Sequence, residues 1–293
     1  MIPKPILITG AHRSGTTWVG KMVANSPLIH YIHEPFNIDY STYKVKPDCW
    51  FQYVTRENEG RLYEQIKQIV TPMPQIPSTK NKNITQLFKF VKSIYQKERV
   101  LIKDPIAVFS VEWLAQRFNM DVVIIIRHPA AFVHSIRERN WTHDFNHFLK
   151  QPLLLEQHLG PFKQEILKFT KKEYDIINQA ILLWQLIYYM VSRYQEKNPE
   201  WLYIRHEDLS LDPINGFRKI FKYLNIKFSK EIKKIVEDHS RYTNPIEGDV
   251  HSIKRNSKKI IQKWKTKFTA KEIKKIRDSL EYISRKFYSD EDW

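Results

Sequence analysis

The apolar run Ile6-Leu7-Ile8, followed at once by Gly10-Ala11-His12-Arg13-Ser14-Gly15-Thr16-Thr17-Trp18, constrains this chain more than any other stretch. A short strand without polar residues must be covered on both faces. A sharp turn from such a strand into a helix leaves the first helical N–H groups without backbone partners and makes an anion site of them. Gly10 and Gly15 permit the close bend, while Arg13, Ser14, Thr16 and Thr17 add a cation and hydroxyls. The local chemistry is that of phosphate or sulfate binding. The Gly-x4-Gly spacing is that of a nucleoside-triphosphate loop, yet Thr16 stands where such a loop has its lysine, which weakens the case for ATP or GTP hydrolysis.

Comparable apolar runs follow at His30-Tyr31-Ile32, Val100-Leu101-Ile102, Val122-Val123-Ile124-Ile125-Ile126 and Trp201-Leu202-Tyr203-Ile204. Helical spacing falls between and after them, over Thr17 to Ala24, Phe109 to Phe118, Ala130 to Arg139, Ile176 to Glu196, Pro213 to Leu224, Ser229 to Asp238 and Thr269 to Phe287. This alternation predicts an α/β fold with a central parallel β-sheet flanked by helices. Ligands of such sheets bind beyond the carboxyl ends of the strands. That rule places Thr9 to Arg13, His33-Glu34, Lys103-Asp104, Arg127-His128 and Arg205-His206-Glu207 along one rim.

A chain of 293 residues with 42% hydrophobic residues can bury one large core, so residues 1–293 are read as one domain carrying insertions. Asp39 to Asn83 reads as an irregular insertion, and Trp141 to Phe162, rich in His and Phe, as a cover over the rim. The net charge of +16 calls for an anionic partner, which a nucleotide, a polyanion, a nucleic acid or a membrane surface would each satisfy. Cys49 is the only cysteine, which rules out an intramolecular disulfide or a multi-cysteine metal site. The first strand begins near Pro5, leaving no room for a secretory signal, and the apolar run Ala180 to Val191 is shorter than the roughly 20 residues that span a bilayer. The expectation is a soluble, cytoplasmic protein without a transmembrane segment.

A second motif runs from Ile126 through Arg127, His128 and Pro129 to Ser135 and Arg139. Pro129 suits the first turn of a helix, and Ser135 and Arg139, four residues apart, share one of its faces. Two arginines and a hydroxyl near a helix start can hold a second phosphate, although an arginine in such a place more often pairs with a carboxylate.

Together the two motifs resemble those of the sulfotransferase family that uses 3′-phosphoadenosine 5′-phosphosulfate. Further matches in the same order are Ile102-Lys103-Asp104-Pro105, Ile204-Arg205-His206-Glu207-Asp208-Leu209, and Arg255-Asn256-Ser257 ahead of Lys263-Trp264. The resemblance implies a P-loop-NTPase-like fold. It implies that Arg13, Ser14, Gly15, Thr16, Thr17 and Trp18 hold the 5′-phosphosulfate end, that Arg127, Ser135 and Arg139 hold the 3′-phosphate, and that Arg255 and Ser257 close over the nucleotide. The product would be 3′,5′-adenosine bisphosphate, and no metal is needed. His206 stands where many relatives have tyrosine.

Sulfonyl transfer needs a base for the acceptor hydroxyl and cations around the moving group. Many small-molecule sulfotransferases have a histidine two residues after the lysine of the third strand, and that place is Pro105. His33-Glu34-Pro35-Phe36 instead resembles the carbohydrate and tyrosylprotein branches, in which a glutamate follows the second strand. The resemblance therefore implies Glu34 as general base, with Lys103 and Arg13 stabilising charge. His33 is the reserve base, although strand alternation would turn it away from Glu34. Asp104 is read as a cap or brace, Glu207 and Asp208 as structural. The acceptor is read as a carbohydrate, with Trp50, Phe51, Trp141, Phe145 and Phe148 available to stack on sugars. Two other readings remain: a nucleotide-kinase-like phosphotransferase, against which Thr16 speaks, and a basic nucleic-acid-binding protein, for which the chain carries no recognition motif.

Overall fold

A computed structural model describes residues 3–40, 43–71, 98–171, 174–241 and 261–293. Five strands form one parallel sheet: β1 (Ile6–Gly10), β2 (Ile29–His33), β3 (Arg99–Lys103), β4 (Asp121–Ile126) and β5 (Leu202–Arg205), in the spatial order β2-β3-β1-β4-β5. All five coincide with the apolar runs. Ile6 lies between Leu101 of β3 and Asp121 of β4, so the loop after β1 leaves from the middle of the sheet.

The inner stretches of β1, β3 and β4 are apolar because each face packs against helices, whereas the edge strand β2 is only partly covered. Residues of one parity, Ile6, Ile8, Leu101, Val123 and Ile125, meet Trp18, Val19 and Met22 of α1 (Thr16–Ala24) and Phe217, Ile220 and Phe221 of a later helix. Those of the other parity, Leu7, Val100, Ile102, Val122 and Ile124, join the larger core. Period two divides an unbroken hydrophobic run between two cores.

The stretch expected to be irregular contains α2 (Gly60–Val70), whose buried Leu62, Ile66 and Val70 recur every four residues and join the larger core. That spacing is the helical signal, diluted on the other face by charged residues. Residues 72–83 of the same stretch lie outside those described. Next come α3 (Val111–Phe118), behind a 3-10 turn Ile106–Ser110, then α4 (Pro129–Arg139), α5 (Lys163–Lys171) and α6 (Ile176–Lys197). Asp175 caps α6, its carboxylate accepting from Asn178 N at 2.9 Å. After β5 the chain runs directly into α7 (His206–Leu211), then α8 (Pro213–Tyr223), α9 (Lys230–Arg241) and α10 (Ala270–Ser284), the last opened by a Thr269–Glu272 capping box. Among the described residues no helix is long and apolar enough to cross a membrane.

The cover expected over 141–162 consists of short helical turns whose Phe145, Phe148, Leu154 and Leu159 are part of the larger core. This corrects the reading of its aromatics as sugar platforms: Phe51, Phe145 and Phe148 are 1%, 2% and 0% exposed, and Phe51 stacks on Phe148 at 6.0 Å. Trp141 alone of the exposed large hydrophobic residues carries that part of the expectation forward, at 40% exposure.

Gly10 shows what the turn demands. Its φ is 143°, and a Cβ there would stand 2.2 Å from the Ile125 carbonyl oxygen on the neighbouring strand. Gly10→Ala is expected to destabilise the protein by about 3 kcal/mol, the sum of backbone strain and a clash the sheet cannot relieve. Denaturant unfolding measures it, and a loss under about 1 kcal/mol would mean that the turn relaxes.

Candidate active site

The parallel sheet delivers its strand ends to one rim, where five chemically active segments stand side by side. In spatial order they are Glu34 after β2, Lys103 at the end of β3, the glycine loop after β1, Arg127 after β4, and Glu207 after β5. With strands about 4.8 Å apart, Glu34 and Arg127 sit roughly 15 Å apart along the rim.

The loop is held in a bent state by left-handed residues, Arg13 at φ 65° and Gly15 at φ 95°. Ser14 N donates to Ala11 O at 3.1 Å, closing the turn before α1 begins at Thr16. The His206 ring fills the space where a side chain on Gly15 would go, 2.4 Å from the ideal Cβ position. His206 is therefore a wedge beneath the loop. Ser14 Oγ and Trp18 Nε1 are buried without hydrogen-bond partners among the described residues. Buried polar atoms normally have partners, and Ser14 Oγ lies at the turn itself while Trp18 Nε1 lies in the first turn of α1 within the core. A backbone cradle, a cation and a spare hydroxyl fit a tetrahedral anion.

The two motifs read separately from the sequence are bonded to each other. Arg13 Nε donates to Ser135 Oγ at 3.0 Å, and Arg127 Nη1 donates to the Arg13 carbonyl at 3.3 Å. Arg127 is 8% exposed, and its backbone is pinned from both sides: its N–H donates to Tyr188 Oη at 2.7 Å and its carbonyl accepts from Trp184 Nε1 at 3.0 Å. Trp184 and Tyr188, four residues apart on α6, read as plain core in the sequence; helical spacing was the available signal. Arg139, one turn beyond Ser135 on α4, is half-buried and has no hydrogen bond or ion pair among the described residues. Arg255 and Ser257 lie outside the described residues.

At the other end of the rim Lys103 Nζ donates to Glu34 Oε1, and Asn37 Nδ2 donates to Oε2 at 2.9 Å. Lys103 is fully buried and Glu34 largely so. Burial would raise the Glu34 carboxyl, but Lys103 and the bonds from Lys103 and Asn37 hold it below its ordinary value. Burial also lowers the Lys103 ammonium, opposed by Glu34. The two groups form a tight pair in which each favours the charged form of the other against burial. Glu34 has φ 47°, an unusual backbone for a glutamate, while its N–H is anchored to Lys103 O at 2.8 Å. The strand has ended by this residue, so alternation does not separate it from its neighbour: His33 Nε2 is 3.7 Å from Glu34 Oε1. Strained residues of this kind collect at functional sites.

Asp104 does what a cap does. Its carboxylate accepts from Phe36 N at 2.6 Å, Ile106 N at 2.8 Å and Ala107 N at 3.2 Å, fixing the segment after Glu34 to the end of β3. Burial pushes its acid up to about 7 against those amides. Asn37, which holds Glu34 in place, was not anticipated, since a lone asparagine in a loop carries no sequence signal. Above the loop, the Arg13 guanidinium lies 5.4 Å from the Trp141 ring. His12 packs at 5.2 Å from Phe132 and 6.1 Å from Trp141, and burial and the adjacent Arg13 lower its pKa to about 4, so it is neutral.

A parallel sheet with a glycine turn into a helix at its centre, and an arginine and a serine after the next strand, defines a P-loop-like α/β protein. A model of the sulfotransferase family matches residues 5–230, and the chain belongs to that family. It is 19% identical to carbohydrate sulfotransferase 4 of Mus musculus over 94% of this chain and 79% of the mouse protein. Among solved structures it is similar to a mouse sulfotransferase complexed with PAP, at a TM-score of 0.52 and 14% identity over 99% of this chain and 86% of the other. The sulfotransferase domain of the Synechococcus PCC 7002 olefin synthase matches with a TM-score of 0.50 and 14% identity over 96% and 95% of the two chains. These likenesses agree with the P-loop-NTPase-like fold, and family membership favours sulfonyl transfer over the kinase-like alternative.

Proposed function

We propose that this chain transfers a sulfonyl group from 3′-phosphoadenosine 5′-phosphosulfate to a hydroxyl of a carbohydrate, with residues 1–293 working as one catalytic unit. The observation that carries the reading is the pair of bonds joining the motifs, Arg13 Nε to Ser135 Oγ and Arg127 Nη1 to Arg13 O. They make one continuous anion-binding rim with two centres, as a nucleotide bearing phosphate at both 3′ and 5′ positions requires. In this reading the loop amides, Arg13, Ser14, Gly15, Thr16 and Thr17 hold the 5′ end, Trp18 lies against the nucleotide, and Arg127, Ser135 and Arg139 hold the 3′-phosphate. Arg255 and Ser257 complete the site from the C-terminal side.

Glu34 takes the proton of the acceptor hydroxyl as its oxygen attacks sulfur. The bond from sulfur to the 5′-phosphate oxygen breaks in line, releasing 3′,5′-adenosine bisphosphate. Lys103 and Arg13 offset the charge that gathers on the sulfonyl and bridging oxygens. Lys103 is bonded to Glu34 in the resting protein, so the base is held ionised until substrates draw the ammonium toward the sulfonyl oxygens. The carbohydrate acceptor is supported by the glutamate after β2, by the likeness to a carbohydrate sulfotransferase, and by the exposed Trp141 ring over Arg13. The net charge of +16 suits an anionic glycan, and no metal enters the scheme.

Calorimetric titration with 3′,5′-adenosine bisphosphate, 5′-AMP and ATP with magnesium tests the donor. The bisphosphate is expected to bind tightly without metal and the other two weakly. Preference for ATP with magnesium would overturn the reading.

A further inference from the structure

Arg127 has a guanidinium with three edges to account for, because its five N–H donors form a rigid fork. Nη1 is bonded to the Arg13 carbonyl. Nε is buried and faces Glu207 Oε1 at 3.8 Å. Nη2 has no hydrogen bond among the described residues. Nη1 is thus held by a hydrogen bond and Nε by ion pairing with Glu207, without a hydrogen bond of its own, so the orientation of the fork depends on where the Glu207 carboxylate stands.

Glu207 is itself fixed. Its Oε1 accepts from His128 N at 3.1 Å, and its Oε2 accepts from Tyr288 Oη at 2.8 Å. Both Glu207 and Tyr288 are buried, and burial raises each above its ordinary pKa. Tyr288 belongs to the segment after α10, which is locked against the same rim. Arg205 pairs with Asp292 and lies 4.6 Å from the Tyr288 ring, while the His128 ring stacks on Trp264 at 4.9 Å and meets Trp293 edge-on at 4.5 Å. The segment therefore reaches the second anion centre through Tyr288 and Glu207.

We propose that Glu207 and Tyr288 are positioning residues for the 3′-phosphate, aiming the Arg127 guanidinium through the chain Tyr288–Glu207–Arg127. This rests on the reading of Arg127 as the 3′-phosphate cation. It turns Glu207, expected to be structural, into a determinant of nucleotide selectivity together with Tyr288. Electrostatics alone makes the opposite prediction, because removing the Glu207 charge would strengthen the local attraction for phosphate.

The test is calorimetric titration of 3′,5′-adenosine bisphosphate and 5′-AMP into the wild-type protein and the variants Glu207→Gln, Tyr288→Phe, Arg127→Ala and Arg127→Ala/Tyr288→Phe. Glu207→Gln and Tyr288→Phe are each expected to lower bisphosphate affinity about five- to tenfold, the usual consequence of a lost charged hydrogen-bond partner, and to leave 5′-AMP affinity unchanged. Arg127→Ala is expected to lower the bisphosphate preference further, and Tyr288→Phe to add nothing in its background. Tighter bisphosphate binding by Glu207→Gln, or equal losses for both nucleotides in either variant, would overturn the positioning role while leaving Arg127 in place. An unchanged preference in Arg127→Ala would overturn the underlying reading and this inference with it.

Discussion

Glu34→Gln is expected to cut turnover by about 10² to 10⁴, the range a positioned general base supplies, while 3′,5′-adenosine bisphosphate binds as before. Glutamine has the shape of glutamate, can accept from Lys103 through its amide oxygen, and has no useful proton affinity. Its NH2 group then faces the Asn37 Nδ2 donor and the buried Lys103 loses its counter-charge, so denaturant unfolding is measured alongside to keep proton transfer apart from folding. Measured kcat beside calorimetric nucleotide affinity separates the two effects. Turnover within a few-fold of wild type would move the base elsewhere, with His33 as the neighbour at 3.7 Å.

Removing Lys103 should act on both rate and pH dependence. Lys103→Met keeps most of the buried volume, where alanine would leave a cavity, and deletes the ammonium. Loss of a preorganised cation at the reacting oxygens is expected to lower kcat by about 10² to 10³. The pH effect follows from what holds Glu34. Burial acts to raise its carboxyl, and the Lys103 charge and hydrogen bond overcome it. In the wild-type free enzyme Glu34 remains ionised below its ordinary value, so the acid limb of kcat/KM lies at low pH. Without the ammonium, burial dominates, the carboxyl protonates at higher pH, and the limb moves upward. Pre-steady-state or steady-state profiles of both proteins measure the displacement. A limb that stays in place would mean that the Lys103–Glu34 pair does not set the state of the base.

The parts of this protein legible in its sequence are those governed by short-range rules. Short, mainly apolar runs followed by polar residues identified all five strands, and the strand-end rule named Glu34, Lys103, Arg127 and Glu207 as neighbours on one rim before their order was known. Pro129 marked the start of α4 because its missing N–H costs nothing in a first turn. Helix α2 was missed because charge diluted its apolar spacing, and the buried Phe51, Phe145 and Phe148 were mistaken for ligand platforms because composition does not distinguish a loop aromatic from a core one. His33 was expected to turn away from Glu34, an argument that holds only while the backbone stays extended; Glu34 has φ 47°.

What the sequence determined by itself is the individual strands, the glycine turn and the second basic motif, since each depends on residues close to one another along the chain. Only the tertiary structure decided how these parts act together: Arg13 on Ser135, Arg127 on the Arg13 carbonyl, Lys103 on Glu34, and Tyr288 on Glu207. Those partners are 122, 114, 69 and 81 residues apart. No local rule links them, because crossover order sets which strand ends become neighbours, and side-chain bonds form only once the sheet has closed that distance.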